Sequence, residues 1–297
     1  MINDEQTETM NIELQVINAF SMNSEGGNPA GVVFQADELS NQTKQAIATK
    51  AGFPETAFVS SSEVADYKLE FFTPTKQIPH CGHATIATFS FLKTKGLISG
   101  DFSSKETIDG LRTIRFLNGQ AFMEQKAPVF DKGSIHLNSV LQSLGIGPDD
   151  LLPGFDPMIV NTGNAFLIVP VHDENVLARI NYDRLAVSQI SERNGLIGFY
   201  VYTRSSAGFD ATTRMFAPYY GIDEEAGTGM AAGPLVSYLY EVEQINKTSF
   251  KIEQGRFMKP ASKSLILVDL ELQGHTIHRL FAGGSAYLSK TVILEIS

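Results

Sequence analysis

The chain has 297 residues, with 33 Asp and Glu against 23 Lys and Arg, a net charge of −10 and a sequence pI of about 5.1. That length holds two ordinary domains with good cores, and the acidic balance without any basic run argues against nucleic acid or an anionic membrane as partner. One cysteine, Cys81, excludes an internal disulfide and fits a reducing cytoplasm; the polar, acidic start MINDEQTETM does not read as a secretory leader, and no apolar run has the length of a membrane span.

In chain order, residues 12–19 alternate as a strand. A Ser/Gly/Asn loop then ends at Gly26-Gly27-Asn28-Pro29 and gives way to a short buried strand over 31–34. Asp37 or Ser40 caps a helix over 41–51, stopped by Gly52. Pro54 pushes Phe53 to extended geometry, so Glu55 enters a strand through Thr56-Ala57-Phe58-Val59. A strand over 67–72 leads to Phe72-Thr73-Pro74 and then to His80-Cys81-Gly82-His83. A helix from about Ala84 follows, stopped by Lys93-Thr94-Lys95-Gly96. It is apolar nearly all round, as a buried helix is. Strands over 113–116 and 121–124 complete the first half.

The second half opens near Lys126-Ala127-Pro128. Asn138 is the expected cap of a short helix ending at Leu144-Gly145, and Gly163-Asn164-Ala165 leads into FLIVP. Asp173 and Asp183 open further short helices, the second ending near Asn194-Gly195. A strand over 199–202, a hairpin-like loop at Ser205-Ser206-Ala207-Gly208 and Phe216-Ala217-Pro218 precede Ala226-Gly227-Thr228-Gly229. A second apolar helix, MAAGPLVSYLY, has Pro234 in about its first turn, where proline costs least. Two alternating strands, 265–272 and 287–296, end the chain.

Three of these elements occur twice in the same order. Gly27-Asn28-Pro29-Ala30 answers to Gly163-Asn164-Ala165, Thr56-Ala57-Phe58-Val59 to Gly198-Phe199-Tyr200-Val201, and the Pro74–Cys81 stretch to the Pro218–Ala226 stretch. The pattern predicts an internal duplication of roughly 140 residues, the size of a domain. The expected domains are 11–126, joined by the terminal strand 286–297, and 127–285. Each is expected to be a curled, mostly antiparallel sheet around one helix.

If a pseudo-twofold relates the halves, both helix N-termini face one interdomain cleft, where free amides attract a carboxylate. Glu55 then lies among Phe53, Ala57, Phe58 and Val59. Partial desolvation would raise its pKa and suit a general base or acid, whereas in the plainer reading it is a solvated strand-edge glutamate. His83 reads as a proton partner or as a capping or core histidine. Cys81 reads as a low-pKa thiol at a helix start or as a small buried residue. Glu224-Glu225 are dipole partners of the second helix unless one points into the cleft. His80, Cys81 and His83 have no second ligand cluster at a usual spacing, so no metal is expected.

These residues carry a resemblance. Asn18-Ala19-Phe20, Gly27-Asn28-Pro29-Ala30, Glu55-Thr56-Ala57-Phe58, Phe72-Thr73-Pro74, Cys81-Gly82-His83-Ala84-Thr85, Arg214-Met215-Phe216-Ala217-Pro218 and Glu224-Glu225-Ala226-Gly227-Thr228-Gly229 resemble the motifs of the PhzF-like (phenazine-biosynthesis) isomerase family, which shares the diaminopimelate epimerase fold. The likeness runs from Leu14 to the C-terminus. It implies an α+β fold of two pseudo-symmetric domains, a homodimer, and a cofactor-independent site between the domains. In relatives with a known reaction, the glutamate matching Glu55 moves a proton between carbons of an unsaturated cyclic hydroxy-amino acid, assisted by the residues matching His83 and Glu225. Asn28, Gly82, Thr228, Gly229 and Met230 are the expected substrate contacts. In the epimerase branch two cysteines act as base and acid; here Ala226 stands at the second. The family's acidic pair is usually Glu-Asp, and here it is Glu224-Glu225. The expected activity is therefore isomerisation of a small carboxylate. The alternatives are a binding protein on the same fold and a single-thiol racemase.

Overall fold

The computed structural model describes residues 9–131, 135–205 and 207–296. The first half contains β1 (Met10–Ala19), β2 (Asn28–Val33), α1 (Asn41–Ala51), β3 (Thr56–Ser60), β4 (Tyr67–Phe72), β5 (Gln77–Ile78), α2 (Gly82–Thr94), β6 (Phe102–Thr107), β7 (Gly110–Leu117) and β8 (Gln120–Lys126). The second contains β9 (Val129–Asp131), α3 (Leu137–Leu144), β10 (Met158–Asn161), β11 (Ala165–Pro170), α4 (Glu174–Arg179), α5 (Arg184–Asn194), β12 (Gly198–Arg204), β13 (Ala211–Ala217), β14 (Ile222–Glu225), α6 (Gly229–Glu241), β15 (Ser249–Gln254), β16 (Ser264–Gln273) and β17 (Thr276–Gly284); β18 (Ala286–Ile296) closes the chain. No helix among the described residues is long and apolar enough to cross a membrane.

The strand pairing repeats. β1–β2 is antiparallel, β2–β3 parallel, β3–β4 and β4–β5 antiparallel, β4–β6 parallel, and β6–β7–β8 antiparallel. β10 through β17 run through the same series of senses in the same order. The halves join where β8 pairs antiparallel with β17, and β18 returns to pair with β1 over its whole length.

Each half wraps one helix. α2 and α6 have 13 residues each, and ten of each are buried. The apolar side chains found all round each helix fit a position inside a curled sheet, where burying one Phe or Leu contributes ~1.5–3 kcal/mol. Their hydroxyls turn inward to the backbone: Thr85 Oγ1 donates to Cys81 O (2.6 Å), Thr88 Oγ1 to Ala84 O (2.8 Å) and Ser237 Oγ to Gly233 O (2.9 Å). A second apolar layer, including Val140, Leu144, Val169, Val187 and Phe216, packs α3, α4 and α5 on the outer face of the second half.

Several local expectations shift. Ser40 caps α1, accepting from Thr43 N (3.1 Å), while Asp37 instead accepts from Ser61 N (2.9 Å). α2 starts at Gly82 rather than Ala84. α3 starts after His136, with Asn138 inside the helix. Pro234 lies in the second turn of α6, where it removes the amide that would bond Met230 O. β2 begins at Asn28, and Glu55 sits just before β3, its carbonyl accepting from Gly31 N (3.1 Å). Ser206 of the expected hairpin-like loop, like Ser297 at the end of the terminal strand, lies outside the described residues.

Candidate active site

The N-termini of α2 and α6 meet. A Cβ added to Gly82 would stand 3.0 Å from Met230 Cγ, and one added to Gly229 would stand 2.9 Å from Phe20 Cζ. Glycine at 82 lets the start of α2 approach Met230 of α6 to side-chain contact, and glycine at 229 leaves room for the Phe20 ring. By position, the first-turn amides of Gly82, His83, Gly229 and Met230 have no acceptor within their own helices. The amide of Thr228 is already used, donating to Gln254 Oε1 at 3.0 Å.

Between the helix starts is a cavity of about 50 Å³, lined by Glu55, Cys81, Gly82, His83, Glu225 and Met230 among others. His83 is its centre. Its Nδ1 stands 3.1 Å from Glu225 Oε1 and its Nε2 3.4 Å from Glu55 Oε2. Cys81 Sγ lies 3.5 Å from the same Nδ1. Glu55, His83 and Cys81 are deeply buried, at 5%, 3% and 4% exposed, while the Glu225 side chain is 11% exposed.

The two carboxylates are held differently. Glu225 is tied on every side. Asn28 Nδ2 donates to its Oε1 (2.8 Å) and to Gly227 O (2.9 Å), Thr228 Oγ1 donates to its Oε2, and Gln254 Nε2 donates to its carbonyl (2.7 Å). Side chains alternate along a strand, so the neighbouring Glu224 faces away and forms a two-pronged pair with Arg214, Nε to Oε1 and Nη2 to Oε2, both 2.8 Å. This assigns the two members of the acidic pair: one anchors β14 to β13 and the other faces His83. Glu55 Oε2, by contrast, has no hydrogen-bond partner, nor does His83 Nε2. These two buried atoms stand 3.4 Å apart in an ion-pair contact that makes no hydrogen bond, and their residues both line the cavity, which leaves their hydrogen-bonding capacity open to a ligand there.

Electrostatics separates the roles further. Burial pushes the Glu55 carboxyl up to about 7, against the opposing pull of His83 and helped by Glu225. Burial alone would lower His83, but Cys81, Glu55 and Glu225 outweigh it and hold the imidazole well above its usual value. Burial, reinforced by Glu55, raises Cys81, so the sulfur is a thiol at neutral pH and the carboxylates carry the effect on His83. Glu55, Cys81 and His83 offer ligand atoms within 4.8 Å of one another. A protonated imidazole has no lone pair for a metal, so the trio fits proton transfer better than metal binding.

Of the expected contacts, Asn28, Gly82, Thr228, Gly229 and Met230 all gather here, Asn28 and Thr228 as ligands of Glu225. Ala226 is buried and absent from the cavity wall, so no group stands opposite Cys81 in the manner of a second thiol. Sequence reading missed Gln254, which binds Glu225, Thr228 and, through Oε1, the Tyr200 hydroxyl (2.9 Å). A Gln closing the alternating strand before Gly255 was the one available hint.

The sequence profile of phenazine biosynthesis-like proteins matches residues 17–291. A protein of Escherichia coli K12 named an uncharacterized isomerase, YddE, is 30% identical over 284 residues, covering 92% of this chain and 94% of its own. The crystal structure of a PhzF-family phenazine biosynthesis protein from Bacillus anthracis superposes with a TM-score of 0.85 at 28% identity, covering 97% of this chain and all of that one. A hydroxyproline epimerase from Agrobacterium vitis, at 12% identity and a TM-score of 0.58 over 97% of this chain and 92% of its own, shares the fold alone. The architecture is diaminopimelate epimerase-like, and the chain belongs to the phenazine biosynthesis-like family, a family of isomerases and epimerases.

Proposed function

We propose that this isomerase moves a proton between carbons of a small cyclic carboxylate or amino-acid-like substrate without a cofactor, with Glu55 as the acid/base. The carrying observation is the pair of unsatisfied buried atoms, Glu55 Oε2 and His83 Nε2, on the wall of one cavity. A carboxyl with a pKa of about 7 is divided between its two protonation states at neutral pH. It can therefore remove a proton from carbon and return it at little cost in either direction. His83, fixed by Glu225, donates from Nε2 to the charge that develops on the substrate. Glu225 keeps that imidazole protonated and oriented. The free amides at the starts of α2 and α6 receive the substrate carboxylate.

The repeated pairing series and the return of β18 to β1 support two domains, 11–126 with 286–297 and 127–285, with the site between them. We further propose a homodimer, a biosynthetic role in the cytoplasm, and a cyclic amino-acid-like substrate, in line with the family's name. The test of the central claim is incorporation of deuterium at carbon from heavy water into a library of unsaturated cyclic amino acids and small carboxylates. Turnover and exchange by the wild type, both lost in Glu55→Gln, support the proposal. Full exchange in Glu55→Gln overturns it.

A further inference from the structure

A second cavity of about 410 Å³ adjoins the first, and His80 and Met230 line both. The inner cavity, at about 50 Å³, is too small for an amino-acid-sized molecule, so a substrate reacting at Glu55 extends past these two side chains. His80 is not used by the chemistry above, and it has an unusual neighbour. Lys105 is fully buried, and no carboxylate pairs with it among the described residues. Its Nζ donates to Thr85 Oγ1 (2.6 Å), lies 3.3 Å from His80 Nδ1, and sits 5.2 Å from the centre of the Phe71 ring. Burying an amine without a counter-ion is costly. The cost falls here on the one contact that fixes a histidine at the mouth of the reacting cavity.

Burial pushes the Lys105 amine down to about 7; in its charged form it has only donors, and the contact then makes Nδ1 of His80 the acceptor and leaves the ring proton on Nε2. Burial, with Lys105 and Arg112 nearby, holds His80 well below its usual value, so the ring is neutral. Charge in the outer cavity points the same way. Arg112 is paired with Asp109 (2.7 Å) and Arg279 approaches Glu124 (3.5 Å), while Lys126 has no carboxylate partner among the described residues.

We propose that the outer cavity is the second half of the substrate site, and that His80, set as an Nε2–H donor by the positioning residue Lys105, receives a second carboxylate of the substrate there. The substrate class is then a dicarboxylate, one end held at the helix starts and the other at His80. This rests on the reading of Glu55 and His83 as the reacting end.

The probes are glutarate and valerate, five-carbon acids with two carboxylates and one, titrated calorimetrically into the wild type and variants at pH 7 and fixed ionic strength. The wild type is expected to bind glutarate about tenfold tighter or more, the worth of one charge-assisted hydrogen bond. His80→Phe and Lys105→Met should reduce the ratio to about one, and His80→Gln, which keeps an N–H donor, should restore part of it. Nitrogen-15 spectra of labelled histidine should show His80 as the Nε2–H tautomer, altered in Lys105→Met, which a purely structural lysine would not produce. Equal binding of the two acids, binding of neither, or an unchanged preference in His80→Phe overturns the proposal. Glu55→Gln separates the two readings: it should lose proton exchange and keep the glutarate preference.

Discussion

α2 and α6 are the same length, buried to the same extent, and wrapped by strands paired in the same order of senses, yet their first turns differ. One begins Cys81-Gly82-His83 and the other Ala226-Gly227-Thr228-Gly229. The α2 end carries the imidazole and the thiol. The α6 end carries none of the transferring groups; it supplies small residues and a hydroxyl that binds Glu225. A symmetric frame thus holds an asymmetric site: one half presents Glu55 and His83, the proton-moving groups of the proposed mechanism, and the other presents the carboxylate proposed to tune them. The lesson is that the two helix starts of this fold can supply different parts of one site: α2 the imidazole and thiol, α6 the hydroxyl that binds Glu225 and the Met230 side chain that packs on Gly82.

The comparison breaks most severely at His83. His83→Asn leaves Glu55 and Glu225 facing each other in a buried space without a cation. We expect a loss of about 3–5 kcal/mol in denaturant unfolding at pH 7, as for breaking a buried ion pair, together with loss of exchange. The stability loss should shrink at pH 5, where Glu55, with its pKa near 7, is protonated. An equal loss at both pH values would mean that His83 is held by packing alone.

Glu225 is the next test. Glu225→Gln can keep the hydrogen bond from Asn28 and leaves His83 with Glu55 as its one remaining carboxylate partner among the described residues; a decrease of about 10–100-fold in exchange is expected, the usual scale for an outer partner that orients a reactive imidazole. The pH profile fixes the mechanism. Glu55 accepts a proton only when ionised, so the rate should rise through about pH 7, then fall where His83 loses its proton. In Glu225→Gln the falling limb should move to lower pH, because one of the groups that raise His83, alongside Cys81 and Glu55, is gone. A falling limb that stays in place would remove Glu225 from the account. Glu225→Asp, the family's usual residue, withdraws the carboxylate by about 1.5 Å, one carbon–carbon bond, and should give a smaller decrease than Gln.

These residues were visible in the sequence to unequal degrees. The apolar runs of α2 and α6 and the caps of α1 and α5 were legible because their signals are local. The pairings that build the site are not. Arg279 meets Lys126 and Leu280 meets Gln125 across more than half the chain, and β17 alternates too weakly to announce itself. His80 and Lys105 meet because β4 and β6 run parallel, with Tyr67 opposite Lys105. Spacing could suggest that Glu225 faced the cleft, but only the strand phase, with Glu224 turned to Arg214, decides it. Pro234 shows the limit of a composition rule: tertiary burial holds a proline one turn deeper than a free helix would accept it.

The smallest effect should come from imposing symmetry. Ala226→Cys gives α6 the thiol that α2 has. The site is tight, so a cost of ~1–3 kcal/mol in stability is expected from the added sulfur. No gain in racemisation of free amino acids should follow, because burial keeps the Cys81 thiol protonated. A rise in racemisation would show that the missing second thiol was the only barrier to two-base chemistry.

The most direct test compares Glu55→Gln with Cys81→Ser in heavy water. Gln keeps the shape of Glu55 and cannot take a proton, so deuterium incorporation should fall about 10²–10⁴-fold. Ser preserves a small polar group beside His83, and incorporation should stay within a few-fold of wild type. Near-normal exchange in Glu55→Gln, with none in Cys81→Ser, would contradict carboxylate catalysis and assign the reaction to the thiol.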